Sequence, residues 1–287
     1  MEENPTTYNG INKIMICPIC QSQTNVAFNA KVLQKYQAEY RVCPHCGYLF
    51  ASAPYWLDEA YTSAIASTDT GLVKRNIAVS AKLASFLYFG MRERGKGRYV
   101  DLAGGYGMLT RMMRDMGFDF YWQDRYCSNL LAQGFEHIKG TAACDAVTAF
   151  EVLEHVTDPV QFIKDALLEA ETDTIIFSTV LYEGQPPNLD WWYYAFQTGQ
   201  HIGFFQKQTL ELIGKKLNLT FSSHNKIHVL SRKKPTSKLL KILMSNVASR
   251  LVALWIQFRL GGKTERDSEL LTKELGVCVR PPLDGSI

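Results

Sequence analysis

The chain contains no apolar run of about 18 residues, the minimum for a membrane-spanning helix, so none is expected. It has no internal repeat and no low-complexity tract. Its net charge is small. The 31 Lys and Arg stand against 28 Asp and Glu, a formal +3, too little by itself to argue for a nucleic-acid partner. No secretory leader precedes the cysteines, and all seven are expected to be reduced, which suggests a cytoplasmic compartment. Acidic residues are also missing locally, from residues 238–260. What is present is a hydrophobic fraction of 46% over 287 residues, enough for one medium α/β domain and a small metal module.

The sharpest local signal is Val100-Asp101-Leu102-Ala103-Gly104-Gly105-Tyr106-Gly107. Tyr99 to Leu102 reads as a short buried strand and the glycines as a tight turn. Met108 to Met116 reads as a helix, with apolar residues at Met108, Leu109, Met112, Met113 and Met116. A second apolar run from Phe118 ends in Asp124. Strand, glycine turn, helix, strand and acidic residue open a nucleotide-binding α/β domain. The glycines let a ligand approach the backbone, and the carboxylate can accept hydrogen bonds from ribose hydroxyls. Asp101, ahead of the turn, would repel a pyrophosphate but suits a ligand with a cationic amino-acid part. Taken alone, the glycines would also fit an ordinary βα turn.

The pattern continues in order. Asp145 begins an apolar strand that leads through Glu151, Glu154 and His155 to Pro159, which introduces a helix over Val160 to Ala170. Thr174 to Ser178 reads as a fifth strand. Leu219 to Ser223 and Ile227 to Ser231 flank His224-Asn225-Lys226 as an antiparallel pair. These segments together resemble the class I S-adenosylmethionine-dependent methyltransferases over roughly residues 72–233, with Ala103 where the usual first glycine of the motif stands. The resemblance implies a Rossmann-like α/β sheet with helices on both faces and S-adenosylmethionine as cofactor. It implies that Asp101, Ala103, Gly104, Gly105 and Gly107 shape the methionine pocket and that Asp124 binds the ribose. Glu151 is placed on the cofactor side. Arg75, in the Asp69 to Asn76 segment, is a candidate partner for the methionine carboxylate.

Near the N-terminus, Cys17-Pro18-Ile19-Cys20 and Cys43-Pro44-His45-Cys46-Gly47 form two C-x-x-C knuckles separated by residues 21–42. Four thiolates at this spacing match a tetrahedral Zn2+ site of ribbon type with no open coordination position, so its expected role is structural. Cys127, Cys144 and Cys278 are read as reduced packing residues.

The acceptor side is expected beyond the carboxyl ends of the strands. Glu154 and His155 follow the fourth strand, and His201 lies in a long segment after the fifth. Trp191, Trp192, Tyr193 and Tyr194 could stack on a flat base or on the apolar face of a sugar, or serve as core. Gln200-His201-Ile202-Gly203-Phe204-Phe205, followed by Thr209-Leu210, resembles a segment of methyltransferases acting on sugars. There the histidine is a candidate general base, as an imidazole can take the proton of an attacking hydroxyl. His201 is the leading base, His155 the next candidate, and Glu154 orients its neighbours.

The whole arrangement is similar to bacterial methyltransferases of surface-polysaccharide and deoxysugar pathways, some of which methylate oxygen and others carbon. Expected domains are a zinc ribbon over 12–50, a helical linker or cap over 51–96, the methyltransferase domain over 97–233 and an amphipathic helical extension over 234–287. The expected partner is a small-molecule or glycan acceptor. A ribosomal RNA base methyltransferase and an inactive methyltransferase-like binding module stay open as alternatives. In the extension, Leu240, Leu243, Met244, Val247, Leu251, Leu254, Trp255 and Phe258 are read as one face of a helix over 238–260 that ends at Gly261-Gly262. Packing on the domain or on a second copy is expected there, ahead of peripheral contact with the inner membrane face.

Overall fold

The fold comes from a computed structural model that describes residues 15–61, 70–233, 235 and 239–274. Residues 12–14 of the expected ribbon, Asp69, Lys238 and the tail from Cys278 to Pro282 lie outside the described residues. In chain order the elements begin with β1 (Asn25–Val32), β2 (Tyr36–Val42), β3 (Leu49–Ala51), α1 (Leu57–Ala60) and α2 (Leu72–Phe89). There follow β4 (Arg98–Leu102), α3 (Met108–Asp115), β5 (Asp119–Gln123), β6 (Ala146–Ala149), α4 (Pro159–Glu169) and β7 (Thr174–Phe177). The chain continues with β8 (Gly203–Phe204), α5 (Lys207–Lys216), β9 (Thr220–His224), β10 (Ile227–Ser231), α6 (Leu240–Leu243), α7 (Ala248–Leu260) and α8 (Thr264–Glu274).

The larger sheet has the order β5-β4-β6-β7-β10-β9. β5, β4, β6 and β7 run parallel, while β10 is antiparallel to both β7 and β9. The central strands are apolar on both sides because helices cover both faces. Along β4, Tyr99 packs with Phe120, Leu109 and Met113 on the side of α2 and α3. Its neighbour Val100 points the other way, toward Val147, Ile175, Ile163 and Leu210. Beyond β5, Trp122 and Glu136 form an isolated parallel bridge that extends the sheet edge by one pairing. Asp158 caps α4 by accepting from the Gln161 amide at 2.9 Å, with Pro159 in the first turn.

Two expectations need correction. The N-terminal module is not a separate unit, because its antiparallel sheet has the order β1-β2-β3-β8. The fourth strand comes from far along the chain, with Leu49 opposite Phe204 and Phe50 opposite Gly203. The ribbon's buried Cys17, Ile19, Cys43 and Cys46 share one core with Val147, Ile175 and Leu210 of the larger domain.

The second correction concerns 238–260, which is two helices broken between Leu243 and Ala248. Leu240 and Met244 are buried, as are Ser249, Ala253 and Ile256. On one straight helix these two sets would point in nearly opposite directions. The break turns both toward the core. Val247, Leu251, Leu254 and Phe258, read as part of the packed face, are exposed instead. α8 is then tied back by a buried ion pair, in which Arg114 donates to both carboxylate oxygens of Asp267 at 2.7 Å.

Candidate functional site

β4 delivers Asp101 into the interior, where it is 3% exposed. Parallel register sets Thr148 of β6 opposite it, and the Thr148 hydroxyl donates to Asp101 Oδ1 at 2.6 Å. Burial pushes the Asp101 carboxyl up to about 7, against the pull of that hydrogen bond and with a further push from Asp124. A buried acid of this kind is poised to ionise when a cation arrives.

The turn after β4 takes left-handed backbone at Ala103 (φ 53°), Gly105 (φ 57°) and Gly107 (φ 86°). Ala103 carries a Cβ in this region, a strain on the order of 1–2 kcal/mol. A Cβ on Gly105 would meet nothing within 4 Å, so open space lies beside the backbone there. Gly107 has no such freedom, since a Cβ would come within 2.7 Å of Asn129 Oδ1. Trp122 pins the turn by donating Nε1–H to the Gly105 carbonyl at 2.9 Å.

Asp124, at the end of β5, accepts from the Gly105 amide at 2.9 Å through Oδ2. Its Oδ1 accepts from the Tyr126 and Cys127 amides at 2.7 and 2.9 Å. A carboxylate offers about four acceptor positions, so three bonds leave one for a ribose hydroxyl. Asp101, the glycine turn and Asp124 thus stand together at the carboxyl ends of β4 and β5 and fit S-adenosylmethionine.

A second group of residues follows β6. Glu151 has left-handed backbone (φ 55°), and its carboxylate accepts from the Ser178 hydroxyl. Desolvation raises its pKa, as does Glu154, while Arg75 and His201 act in the opposite direction. Arg75 therefore shares an electrostatic neighbourhood with Glu151. Glu154 is wholly buried. Its Oε1 accepts from the Tyr193 hydroxyl at 2.7 Å, while Oε2 has no hydrogen-bond partner among the described residues. Burial raises its pKa too, opposed first by His201.

The rings of His155 and His201 meet edge to face, with centroids 4.7 Å apart. Burial pulls His155 down to about 3, so it is neutral at physiological pH. His155 Nδ1 lies 2.9 Å from the Tyr61 hydroxyl and 3.1 Å from the Gln200 carbonyl. His201 Nδ1 lies 2.6 Å from the Tyr193 carbonyl, which can only accept. Nδ1 therefore carries the hydrogen, and the lone pair of neutral His201 sits on Nε2. One carboxylate oxygen of Glu154 and one ring nitrogen each of His155 and His201 lie within 4.8 Å of one another.

The four expected acceptor aromatics divide. Trp192 is 73% exposed and packs edge to face on Tyr193. Trp191 is half-buried. Tyr193 and Tyr194 are core residues. Tyr194 stacks on Phe196 and lies against Phe28 and Phe204, and it donates to the Pro187 carbonyl. The reason is β8, which brings the N-terminal sheet against this segment and buries the two tyrosines between them. Sequence reasoning missed Thr148, Ser178, Tyr61 and Gln200. Thr148 had left a trace, as a polar residue inside the apolar run of β6.

At the ribbon, Cys17 Sγ lies 3.6 Å from Cys46 Sγ, and Cys20 Sγ lies 3.3 Å from Cys43 Sγ. All four sulfurs fall within 4.8 Å of one another. Zinc–thiolate bonds of about 2.3 Å in a tetrahedron set sulfurs roughly 3.8 Å apart, so the residues fit a four-cysteine metal site.

The family described as methyltransferase domain matches residues 75–224, more than half of the chain, and the chain belongs to that family. No curated protein sequence matches it. Among solved structures, TnmH is 15% identical with a TM-score of 0.43, over 62% of this chain and 60% of that one. Mitomycin 7-O-methyltransferase MmcR is 15% identical with a TM-score of 0.38, over 55% of this chain and 54% of that one. Magnesium protoporphyrin IX methyltransferase from Synechocystis PCC 6803, with bound S-adenosylmethionine, is 13% identical with a TM-score of 0.38, over 63% of this chain and 93% of that one. The chain thus spans little more than half the length of the first two.

Proposed function

We propose that the protein transfers the methyl group of S-adenosylmethionine to a sugar acceptor, with His201 as the general base. The observation that carries this reading is the 2.6 Å contact from His201 Nδ1 to the Tyr193 carbonyl, which leaves Nε2 as the basic nitrogen. The cofactor supplies an activated methyl on a sulfonium. The protein's part is to hold donor and acceptor in line and to remove the acceptor proton. Asp101, Gly105 and Asp124 bind the donor. Buried Glu154 stabilises His201 when the imidazole becomes cationic. A base in this position serves a hydroxyl, or a carbon next to a ketone, equally well.

The sugar reading is supported by the aromatic rim of the cluster. Trp192 packs on Tyr193, Tyr61 reaches His155, and Tyr126 lies in electrostatic range of Tyr61. The exposed rings of Trp192, Tyr61 and Tyr126 can take the apolar face of a pyranose, while Tyr193 itself is buried. We propose further that Cys17, Cys20, Cys43 and Cys46 hold structural Zn2+.

The test incubates methyl-labelled S-adenosylmethionine with nucleotide sugars, glycans, RNA and protein fractions. Label in the sugar fraction is expected, and it should fall at least about a hundredfold in His201→Ala with cofactor binding retained. Label in RNA alone, or an unchanged rate in His201→Ala, overturns the reading.

A second reading rests on Oε2 of Glu154, which has no hydrogen-bond partner among the described residues. Two imidazoles and this carboxylate could hold a divalent cation that lowers the pKa of a bound acceptor hydroxyl. In that case activity disappears on mild chelation and returns with Fe2+ or Mn2+ while zinc content stays constant. The base reading expects no response.

A further inference from the structure

Most of the outward face of α7 has no partner among the described residues; at its margin the Trp255 ring stacks on Phe89 and meets Tyr88 edge to face. Val247, Leu251, Leu254 and Phe258 point to solvent, Phe258 at 86% exposure, and Trp255 is half in the open. On an ideal helix these five fall in an arc of about 100°. The arc lies opposite Ser249, Ala253 and Ile256, which are buried. Arg250 borders it on one side and Arg259 on the other, the latter with its guanidinium 5.9 Å from the Trp255 ring. Leu239, Ile242 and Lys241 on and beside α6 continue the exposed apolar and basic surface. From Leu239 to Lys263 there is no Asp or Glu.

We propose that this face docks on an anionic membrane surface. The arrangement of an apolar ridge between two cationic borders matches the acyl boundary and the headgroups above it. α7 has 13 residues, about 20 Å of helix, which is too short to cross a bilayer and suited to lying in its interface. No helix in the described residues is long and apolar enough to span a membrane. A second copy fits less well, since a symmetric pairing of two such ridges brings like-charged borders together.

The geometry also connects this face to the cleft. Asn225, in the turn between β9 and β10, donates to the Lys241 carbonyl at 2.9 Å. That turn lies at the carboxyl end of β7, since His228 pairs with Phe177. The docking surface therefore begins at the end of the sheet that carries the candidate site. A protein bound in this way presents its cleft to acceptors near the lipid surface. The proposal goes beyond the methyltransferase reading and does not depend on it.

The test is flotation of the full chain with vesicles of phosphatidylcholine, or of phosphatidylcholine mixed with phosphatidylglycerol. Binding to the mixed vesicles is expected, with little to phosphatidylcholine alone. Arg250→Gln with Arg259→Gln should weaken it about thirtyfold, two charges' worth of surface attraction. Leu254→Ser with Phe258→Ser should abolish it, with the melting temperature unchanged because both side chains are exposed. Absence of binding to the mixed vesicles overturns the proposal. So does a dimer in light scattering that the serine variant splits, since the face then belongs to a second copy. A large drop in melting temperature also overturns it, by showing that the protein's own chain covers the ridge.

Discussion

Thr209 donates its hydroxyl to the carbonyl of Cys46 at 2.7 Å, joining the start of α5 to the second cysteine knuckle. The segment just after the knuckles grips the loop carrying His201 directly. Trp56 donates Nε1–H to the Gly199 carbonyl at 2.8 Å, and Gln200 donates to the Ala60 carbonyl at 2.8 Å. β8 begins two residues after His201 and pairs with β3. The segment that follows the knuckles is therefore anchored to the chain on both sides of His201.

Metal removal should consequently reach the chemistry as well as the stability. Cys46→Ser, or exhaustive chelation of the four-cysteine site, is expected to lower kcat by up to about a hundredfold, as displaced catalytic groups do. The KM for S-adenosylmethionine should change little, because Asp101, Gly105 and Asp124 lie on the other sheet. Steady-state kinetics alongside zinc content checks this. Equal effects on kcat and cofactor KM would show general unfolding instead.

Asp101 links stability to cofactor binding. Its folded pKa of about 7 lies above the ordinary 3.8, so the folded ligand-free protein holds an extra proton between those values. Its stability contribution is full below about pH 3.8 and is lost as pH rises through 7, on the order of 1.4 kcal/mol per pH unit. Asp101→Asn should flatten that slope, stabilise the ligand-free protein at pH 8 and weaken cofactor binding by more than about tenfold. Denaturant melts across pH and calorimetric titration test both halves. Cofactor binding to the wild type near pH 7 should also release a proton, visible as a buffer-dependent heat.

His155 has the opposite sign. Its folded pKa of about 3 lies below the ordinary 6.5, so the unfolded chain binds the extra proton between those values. The stability it contributes is present above pH 6.5 and is lost as pH falls toward 3. In His155→Gln the slope of stability over that window should be smaller. An unchanged slope would mean that this imidazole is hydrated in solution.

Much of this was legible in the sequence. The parallel strands declared themselves as apolar runs, and the glycine turn and Asp124 lie where the α/β pattern puts them. The cysteine spacing foretold four converging sulfurs. What was not legible depends on contacts distant along the chain. Nothing local marks Gly203 and Phe204 as the fourth strand of the N-terminal sheet, since a two-residue strand carries no periodicity. Without that pairing, Tyr193 and Tyr194 look like pocket aromatics rather than core. The helical reading of 238–260 failed for a related reason. The period was real, but burying both Leu240 and Ile256 required a break that the pattern does not record.

The hold of α8 on the domain rests on Asp267. Its carboxylate is almost fully buried and receives Arg114 through two hydrogen bonds and Arg111 through a third, at 2.9 Å. Burial alone would raise its pKa, but the arginines outweigh that and lower it, so the pair is ionised when folded. Removing Asp267 leaves Arg114 buried with only Asp119, at 3.3 Å, as a charged partner, at a cost of up to about 3 kcal/mol. Arg114 also donates to the Phe120 carbonyl at 2.9 Å, so its loss would disturb β5 directly. Asp267→Ala is therefore the cleaner variant. It should destabilise the whole domain in denaturant melts, because Arg114 is anchored in α3 beside β5. If Asp267→Ala loses only the helical signal of α8 while the main transition stays in place, the ion pair fastens an appendage and carries no load for the sheet.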